Sequence, residues 1–265
     1  MSEAGGVLTR IAMHTETRVR RFKEQTPVEA LREGFLYKRE PQAFSAAFCG
    51  PQPRVIAEVK FASPSQGFLT QRKPSTEEAL RVAGSYLSNG AAALSILTER
   101  HFFAGAPDHL AGVRFRHPKA LILMKDFFID PYQLELARAC GADCILLIAA
   151  LLGEKLGEFH AAAKALGLSA LVEVHTEAQL RAAQAVEAEL IGVNSRDLKT
   201  LKTDLGVARA LGPMAPGSLL IAESGISTRQ DLDELTACGY RGFLVGTTLM
   251  KTQDPGQALA DLLRA

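Results

Sequence analysis

From Arg54 onward, short apolar runs rich in β-branched residues alternate with helix-start signals, and this rhythm limits the fold more than any other feature of the chain. The expected strands are 54–60, 91–97, 120–125, 143–148, 169–174, 189–194, 218–223 and 241–246, spaced roughly 20–40 residues apart. Helices are expected between them. Ser75 is placed to cap one that Gly90 ends, and Asp130-Pro131-Tyr132-Gln133 reads as an Asp N-cap with proline in the first turn. Gly141 should end that helix. A helix over 154–166 should stop before Gly167, and Thr176-Glu177-Ala178-Gln179 has capping-box spacing. So do Ser227 and Gln230, ahead of a helix over 228–238, and a last helix should follow Asp254-Pro255. Buried strands alternating with helices in this number favour a (β/α)8 TIM barrel, for which 265 residues suffice. A doubly wound sheet competes, but no GxGxxG follows the first strand.

Residues 1–50 stand outside the rhythm. Leu8, Ile11, Val19 and Phe22 can line one side of a basic helix, and Pro27-Val28-Glu29 can start a second. The segment reads as an N-terminal helical extension packed on a catalytic barrel of residues 51–265, with a disordered tail as the alternative.

Function is written at the ends of the strands. Glu58 and Lys60 lie two residues apart and share a face. A buried acid and amine must pair with each other or work on a ligand. The other strands end in Leu97 with Glu99, Lys125, Glu173 with His175, Asn194 with Arg196, Glu223 with Ser224, and Gly246 with Thr247. In a barrel these ends meet at one mouth, where such enzymes place their sites. Gly225-Ile226-Ser227-Thr228 and Gly246-Thr247-Thr248 follow strands seven and eight, the usual phosphate position, and Ser63 can add a hydroxyl. Ordinary capped turns would look the same. Lysines with glutamates suit acid–base catalysis without a metal or other cofactor, and no His/Cys/Asp cluster has metal-ligand spacing. His175, alone on a strand, reads as a packed or hydrogen-bonded residue.

Composition narrows the class. With 30 basic and 29 acidic residues and a net charge of +1, no global field draws the chain to nucleic acid or to a membrane. The longest apolar run, 144–152, is far short of a span. MSEAGGVLTR lacks a signal-peptide layout, and Cys49, Cys140, Cys144 and Cys238 have no disulfide or CxxC spacing. A cytoplasmic protein with reduced thiols is the expectation.

The segments IAEVKFASPSQG, SILTERHFFAG, LMKDFFIDPYQLELARACGADCILLIAALL, LVEVHTEAQL, IGVNSRDLKTLKTDL, IAESGISTRQDL and FLVGTTLM resemble the indole-3-glycerol phosphate synthase family, in order, from about residue 54 to 262. The resemblance implies a (β/α)8 barrel with an N-terminal helical extension. It also implies ring closure, with loss of CO2 and water, of 1-(2-carboxyphenylamino)-1-deoxyribulose 5-phosphate in tryptophan biosynthesis. Carried over by motif, Lys125 is the general acid at the substrate carbonyl and Glu173 stabilises iminium charge. Glu58 and Lys60 form a second acid–base pair, with Lys60 near the anthranilate carboxylate. Asn194, Arg196, Glu223 and Ser224 position substrate, and Phe103 and Phe127 wall the aromatic ring. Ser63, Gly225, Gly246 and Thr247 hold the phosphate. No cofactor is implied, and association with other tryptophan-pathway enzymes is allowed. Phe61 stands where a basic residue is common, which would weaken attraction of an anionic substrate, and Thr247 stands where serine is frequent. The match ends near residue 262, so no fused second barrel is expected. An isomerase or Schiff-base aldolase on a similar phosphate barrel, and a catalytically silent sugar-phosphate barrel, are the competing functions.

Overall fold

In the computed structural model, which describes residues 6–50, 52–198 and 200–264, eight parallel strands among the described residues close into one barrel. They are β1 (Arg54–Val59), β2 (Ala93–Leu97), β3 (Ile122–Lys125), β4 (Cys144–Ile148), β5 (Ser169–Val174), β6 (Leu190–Asn194), β7 (Leu219–Glu223) and β8 (Tyr240–Val245). Each pairs with its neighbours in sequence, and β8 closes on β1 through Arg54↔Gly242 to Ala57↔Val245. The fold is therefore the expected (β/α)8 barrel, and the open doubly wound sheet is excluded by closure. Both faces of nearly every strand are buried, one in the lumen and one under helices, so the strands read as continuous apolar runs.

Most of the expected punctuation is present. Ser75 accepts from the Glu78 amide at 3.1 Å, and Gly141 turns the chain at φ +82° after the helix Tyr132–Cys140. That helix starts at Tyr132, later than the sequence suggested. Asp130 Oδ1 still accepts from the Tyr132 amide, and Gln133 Oε1 returns to the amides of Ile129 and Asp130. The capping box before the helix Arg229–Ala237 lies one residue further on than Ser227 and Gln230. It is formed by Thr228 and Asp231, whose carboxylate also accepts from the Ser227 amide. The helix expected over 154–166 divides into a 3-10 turn, Gly153–Lys155, and an α-helix, Leu156–Ala165.

The N-terminal segment closes the barrel at both ends. Helix α1 (Val7–Gln25) buries Ile11, Thr15 and Val19, four residues apart and hence on one stripe. Arg18 from α1 reaches Asp126 Oδ1 at 2.6 Å and the Thr98 carbonyl at 3.1 Å, beside the mouth. Helix α2 (Val28–Glu33) follows Pro27. A 3-10 turn, Phe44–Phe48, then carries Phe44 and Phe48 into the lumen floor against Ile56, Leu123 and Ile221. Gly242 on β8 makes room for that plug, since a Cβ there would lie 2.6 Å from the Phe48 ring and 2.3 Å from Ile221. On the same side a buried ionic knot ties the extension down. Asp143 accepts from Arg114, from Arg39 at 2.7 Å, and from the amides of Gln42 and Ile122 at 2.9 Å. All its lone pairs are engaged, which makes a buried charge tolerable.

Replacing Phe48 by alanine empties the floor. The expected loss is ~3–5 kcal/mol of stability, read as a lower urea midpoint at unchanged m; an unaltered midpoint would mean that the floor collapses to fill the space.

Candidate active site

Lumen-facing side chains of a barrel stack in layers drawn from alternate strands. Here β1, β3, β5 and β7 contribute Glu58, Lys125, Glu173 and Glu223 to the cleft at the C-terminal mouth. Two residues earlier on the same four strands stand Ile56, Leu123, Leu171 and Ile221, all in the apolar lumen core. A ring of charge thus sits directly on a hydrophobic floor.

Lys125 is its centre. Its Nζ lies 2.5 Å from Glu223 Oε2 and 3.6 Å from Glu173 Oε2. Glu58 Oε1 instead pairs with Lys60 at 2.6 Å, and Glu58 Oε2 accepts from Ser95 Oγ at 3.5 Å. Three buried carboxylates therefore share two ammoniums. Burial works against the charge on Lys125, but Glu223, Glu173 and Glu58 together outweigh it and raise its pKa. Burial also raises the Glu58 carboxyl, yet Lys60 and Lys125 prevail and hold it below its ordinary value. Glu223 goes the other way. Burial pushes it up to about 7 against the pull of Lys125, with Glu173 and Glu58 adding to the rise. Its Oε1 is buried without a hydrogen-bond partner. Glu223 is the carboxyl that holds a proton most readily.

Around this ring the cleft brings together nearly all the expected residues. Asn194, Arg196 and Ser224 line it, as do Phe103, Phe127, Ser63 and Thr247. Asn194 Oδ1 accepts from the Arg196 amide at 2.9 Å, tightening the turn after β6. Ser224 holds φ +66°, a left-handed conformation unfavourable for a non-glycine residue, and Gly225 follows at +87°. Phe103 and Phe127 are 5.9 Å apart and form the aromatic wall. Ser63 Oγ is buried with no protein partner. Gly225 and Gly246 flank the cleft without lining it. A Cβ on Gly246 would fall 2.4 Å from Glu58 Oε1.

Some side chains lie elsewhere than the strand-end pattern suggested. Glu99 is buried but turns back to cap the helix Arg100–Phe103, accepting from the amides of His101, Phe102 and Phe103. It fixes the backbone that carries Phe103 and leaves the mouth. His175 is a hydrogen-bonded residue, its Nδ1 2.7 Å from the Asn194 carbonyl. Phe61, just past β1, is buried edge-on to His109, whereas Lys60 lines the cleft. Phe61 belongs to the core and does not line the cleft. Asp126 escaped sequence reasoning although it lines the cleft. It binds Arg18, Thr98 Oγ1 at 2.5 Å and the Phe127 amide at 2.7 Å, joining α1 to the strand that carries Lys125. The α1 residues Val7, Leu8 and Ile11 complete the apolar wall.

The family model for indole-3-glycerol phosphate synthase matches residues 8–262. The chain belongs to that family. It is similar to the indole-3-glycerol phosphate synthase of Salinibacter ruber, 42% identical over 97% of this chain and 94% of the relative. The synthase of Laribacter hongkongensis is 41% identical over 97% and 98%. Among solved structures, a 3-hexulose-6-phosphate synthase superposes with a TM-score of 0.63 at 17% identity, covering 80% of this chain and 97% of that one. A mutant tryptophan synthase α-subunit from Pyrococcus furiosus superposes with a TM-score of 0.61 at 17% identity, covering 79% and 97%. At that identity these two structures bear on the fold alone. No helix among the described residues is long and apolar enough to cross a membrane.

The Glu223 assignment has a thermodynamic signature. The folded carboxyl keeps its proton up to about 7, whereas the unfolded one releases it near 4.5. Between those values the native state binds more protons, so stability falls as pH rises. Glu223→Gln removes this dependence: from pH 5 to pH 8 its stability relative to the parent should rise by ~1–3 kcal/mol, measured by urea unfolding at each pH. A constant difference would mean that Glu223 is ionised throughout.

Proposed function

We propose that the protein closes the indole ring of 1-(2-carboxyphenylamino)-1-deoxyribulose 5-phosphate, releasing CO2 and water and yielding indole-3-glycerol phosphate for tryptophan biosynthesis. The observation that carries this reading is an ammonium, Lys125, held among three carboxylates at the floor of a cleft walled by Phe103 and Phe127. Family membership makes the enzyme a carboxy-lyase of this kind.

The chemistry asks for what these residues offer. A ring carbon bearing a carboxylate attacks the substrate carbonyl. The carbonyl becomes a good electrophile only when an acid protonates or hydrogen-bonds its oxygen. Lys125 is the acid in this reading, kept charged by Glu223, Glu173 and Glu58. Attack leaves an iminium on the aniline nitrogen, and Glu173 is the carboxylate assigned to face it. Loss of CO2 restores the ring electrons, and loss of the new hydroxyl as water needs a second proton transfer. The Glu58–Lys60 pair, 2.6 Å apart, is assigned to that exchange, with Lys60 also near the departing carboxylate. Asn194, Arg196, Glu223 and Ser224 orient the sugar chain and ring. For the phosphate we assign Ser63, whose hydroxyl has no protein partner, with Gly225, Gly246 and Thr247. Charged side chains of the protein supply every proton transfer in this scheme, which makes it metal-independent.

Fluorescence of the indole product, followed after addition of the substrate, tests the reading directly. The expected outcome is turnover undiminished by EDTA, and a ~100-fold or greater fall in kcat for Lys125→Ala with its folding intact. Binding without turnover in the parent would point to a silent barrel. Near-normal turnover in the variant would remove Lys125 from the acid role.

A further inference from the structure

We propose that Gly192 is a positioning residue: the missing side chain at this point of β6 opens the seat in which the Glu223 carboxylate lies beside Lys125. The inference rests on the acid role assigned above to Lys125.

Nothing in the backbone calls for glycine at this position. Gly192 lies inside a regular strand, paired in register with Glu173 on β5 and Ile221 on β7, and it is not among the residues of positive φ. A glycine in a strand interior sacrifices stability and side-chain packing, so its presence calls for close approach by another group. That group is identifiable. A Cβ built on Gly192 would stand 2.1 Å from Glu223 Oε1, 3.2 Å from its Cδ and 3.3 Å from Leu171 Cδ1. The first contact is far inside van der Waals distance, whereas the leucine needs only a small adjustment.

Gly192 does not itself line the cleft, so its effect must pass through another residue. Glu223 Oε1, which occupies the seat, has no hydrogen-bond partner, while Oε2 of the same carboxylate sits 2.5 Å from Lys125. No hydrogen bond holds Oε1 in place; the space above Gly192 does. A methyl group there forces the carboxylate to swing. Because the two oxygens move as one rigid group, Oε2 leaves Lys125. The barrel backbone is spared, because what yields is the end of a flexible side chain. Gly246, directly after β8, stands in the same relation to Glu58, with a Cβ position 2.4 Å from Oε1. Two carboxylates of the charged ring thus lean into spaces left by glycines that follow or lie within the adjacent even-numbered strands.

Four proteins test the idea: the parent, Gly192→Ala, Glu223→Ala and the double variant, each measured for kcat, KM and thermal unfolding. Gly192→Ala is expected to lower kcat about tenfold or more with KM changed less than about threefold, and to change kcat less than about twofold when Glu223 is already alanine. An equal effect in both backgrounds, or no effect in the first, overturns the proposal. Should Gly192→Ala fail to fold, recovery of folding in the double variant supports it and continued failure overturns it. A readout independent of turnover is the pH-dependence of stability assigned to Glu223. It is expected to vanish in Gly192→Ala, and its persistence would mean that the carboxylate has not moved. A parent that makes no indole product would refute the assigned reaction, while this stability profile would still decide the role of Gly192.

Discussion

One ammonium shared by several carboxylates on an apolar floor is the constraint to which the rest of this structure answers. Lys125 has Glu223 and Glu173 within 3.6 Å, and Glu58 adds a third negative charge to its surroundings. Such charges in a low-dielectric lumen are tolerable only when each carboxylate finds a cation, a hydrogen-bond donor or a proton. Lys60 and Ser95 serve Glu58, and Lys125 serves Glu173 and one oxygen of Glu223. Oε1 of Glu223 is buried without a partner, and this is the group pushed towards the neutral form. The ring therefore combines an ion pair with a carboxyl pushed towards its protonated form.

Holding that ring rigid falls to parts of the chain far apart in sequence. Below it, Phe44 and Phe48 fill the lumen floor, and Asp143 with Arg114 and Arg39 binds the extension to the barrel. Beside it, Arg18 grips Asp126, the residue following Lys125, whose carboxylate also fixes the amide of Phe127. The N-terminal segment thus acts at both ends of the barrel: its later part closes the base, and α1 both walls the cleft and steadies β3.

Much of this was legible in the sequence. Parallel strands buried on both faces have few polar interruptions, so each appeared as a mostly apolar run, and the charged residues near their ends marked the mouth. The spacing was more informative than that reading used. Ile56-x-Glu58, Leu123-x-Lys125, Leu171-x-Glu173 and Ile221-x-Glu223 repeat one step on every second strand, the mark of a charged layer stacked on an apolar one. Glu99 looked like another member because its role as a cap depends on the chain turning immediately after it, which side-chain type does not reveal. Asp126 was hidden for a similar reason: its partners, Arg18 and Thr98, are 108 and 28 residues away. The plug at Phe44–Phe48 carries no periodic signal, since a single 3-10 turn is too short to have one.

The charge balance of the cleft also bears on its choice of ligand. Lys60, Lys125 and Arg196 line it, against Glu58, Glu173, Glu223 and an Asp126 already paired with Arg18. With every carboxylate ionised, the three cations only cancel Glu58, Glu173 and Glu223. The cleft would then offer little net attraction to a substrate carrying a phosphate and a carboxylate. A proton on Glu223 tips the same residues to a net positive site without adding a cation. Phe61 adds no charge to the cleft, its side chain being buried in the core. The net charge of the cleft therefore changes with the protonation of Glu223, whose carboxyl sits in the empty space above Gly192.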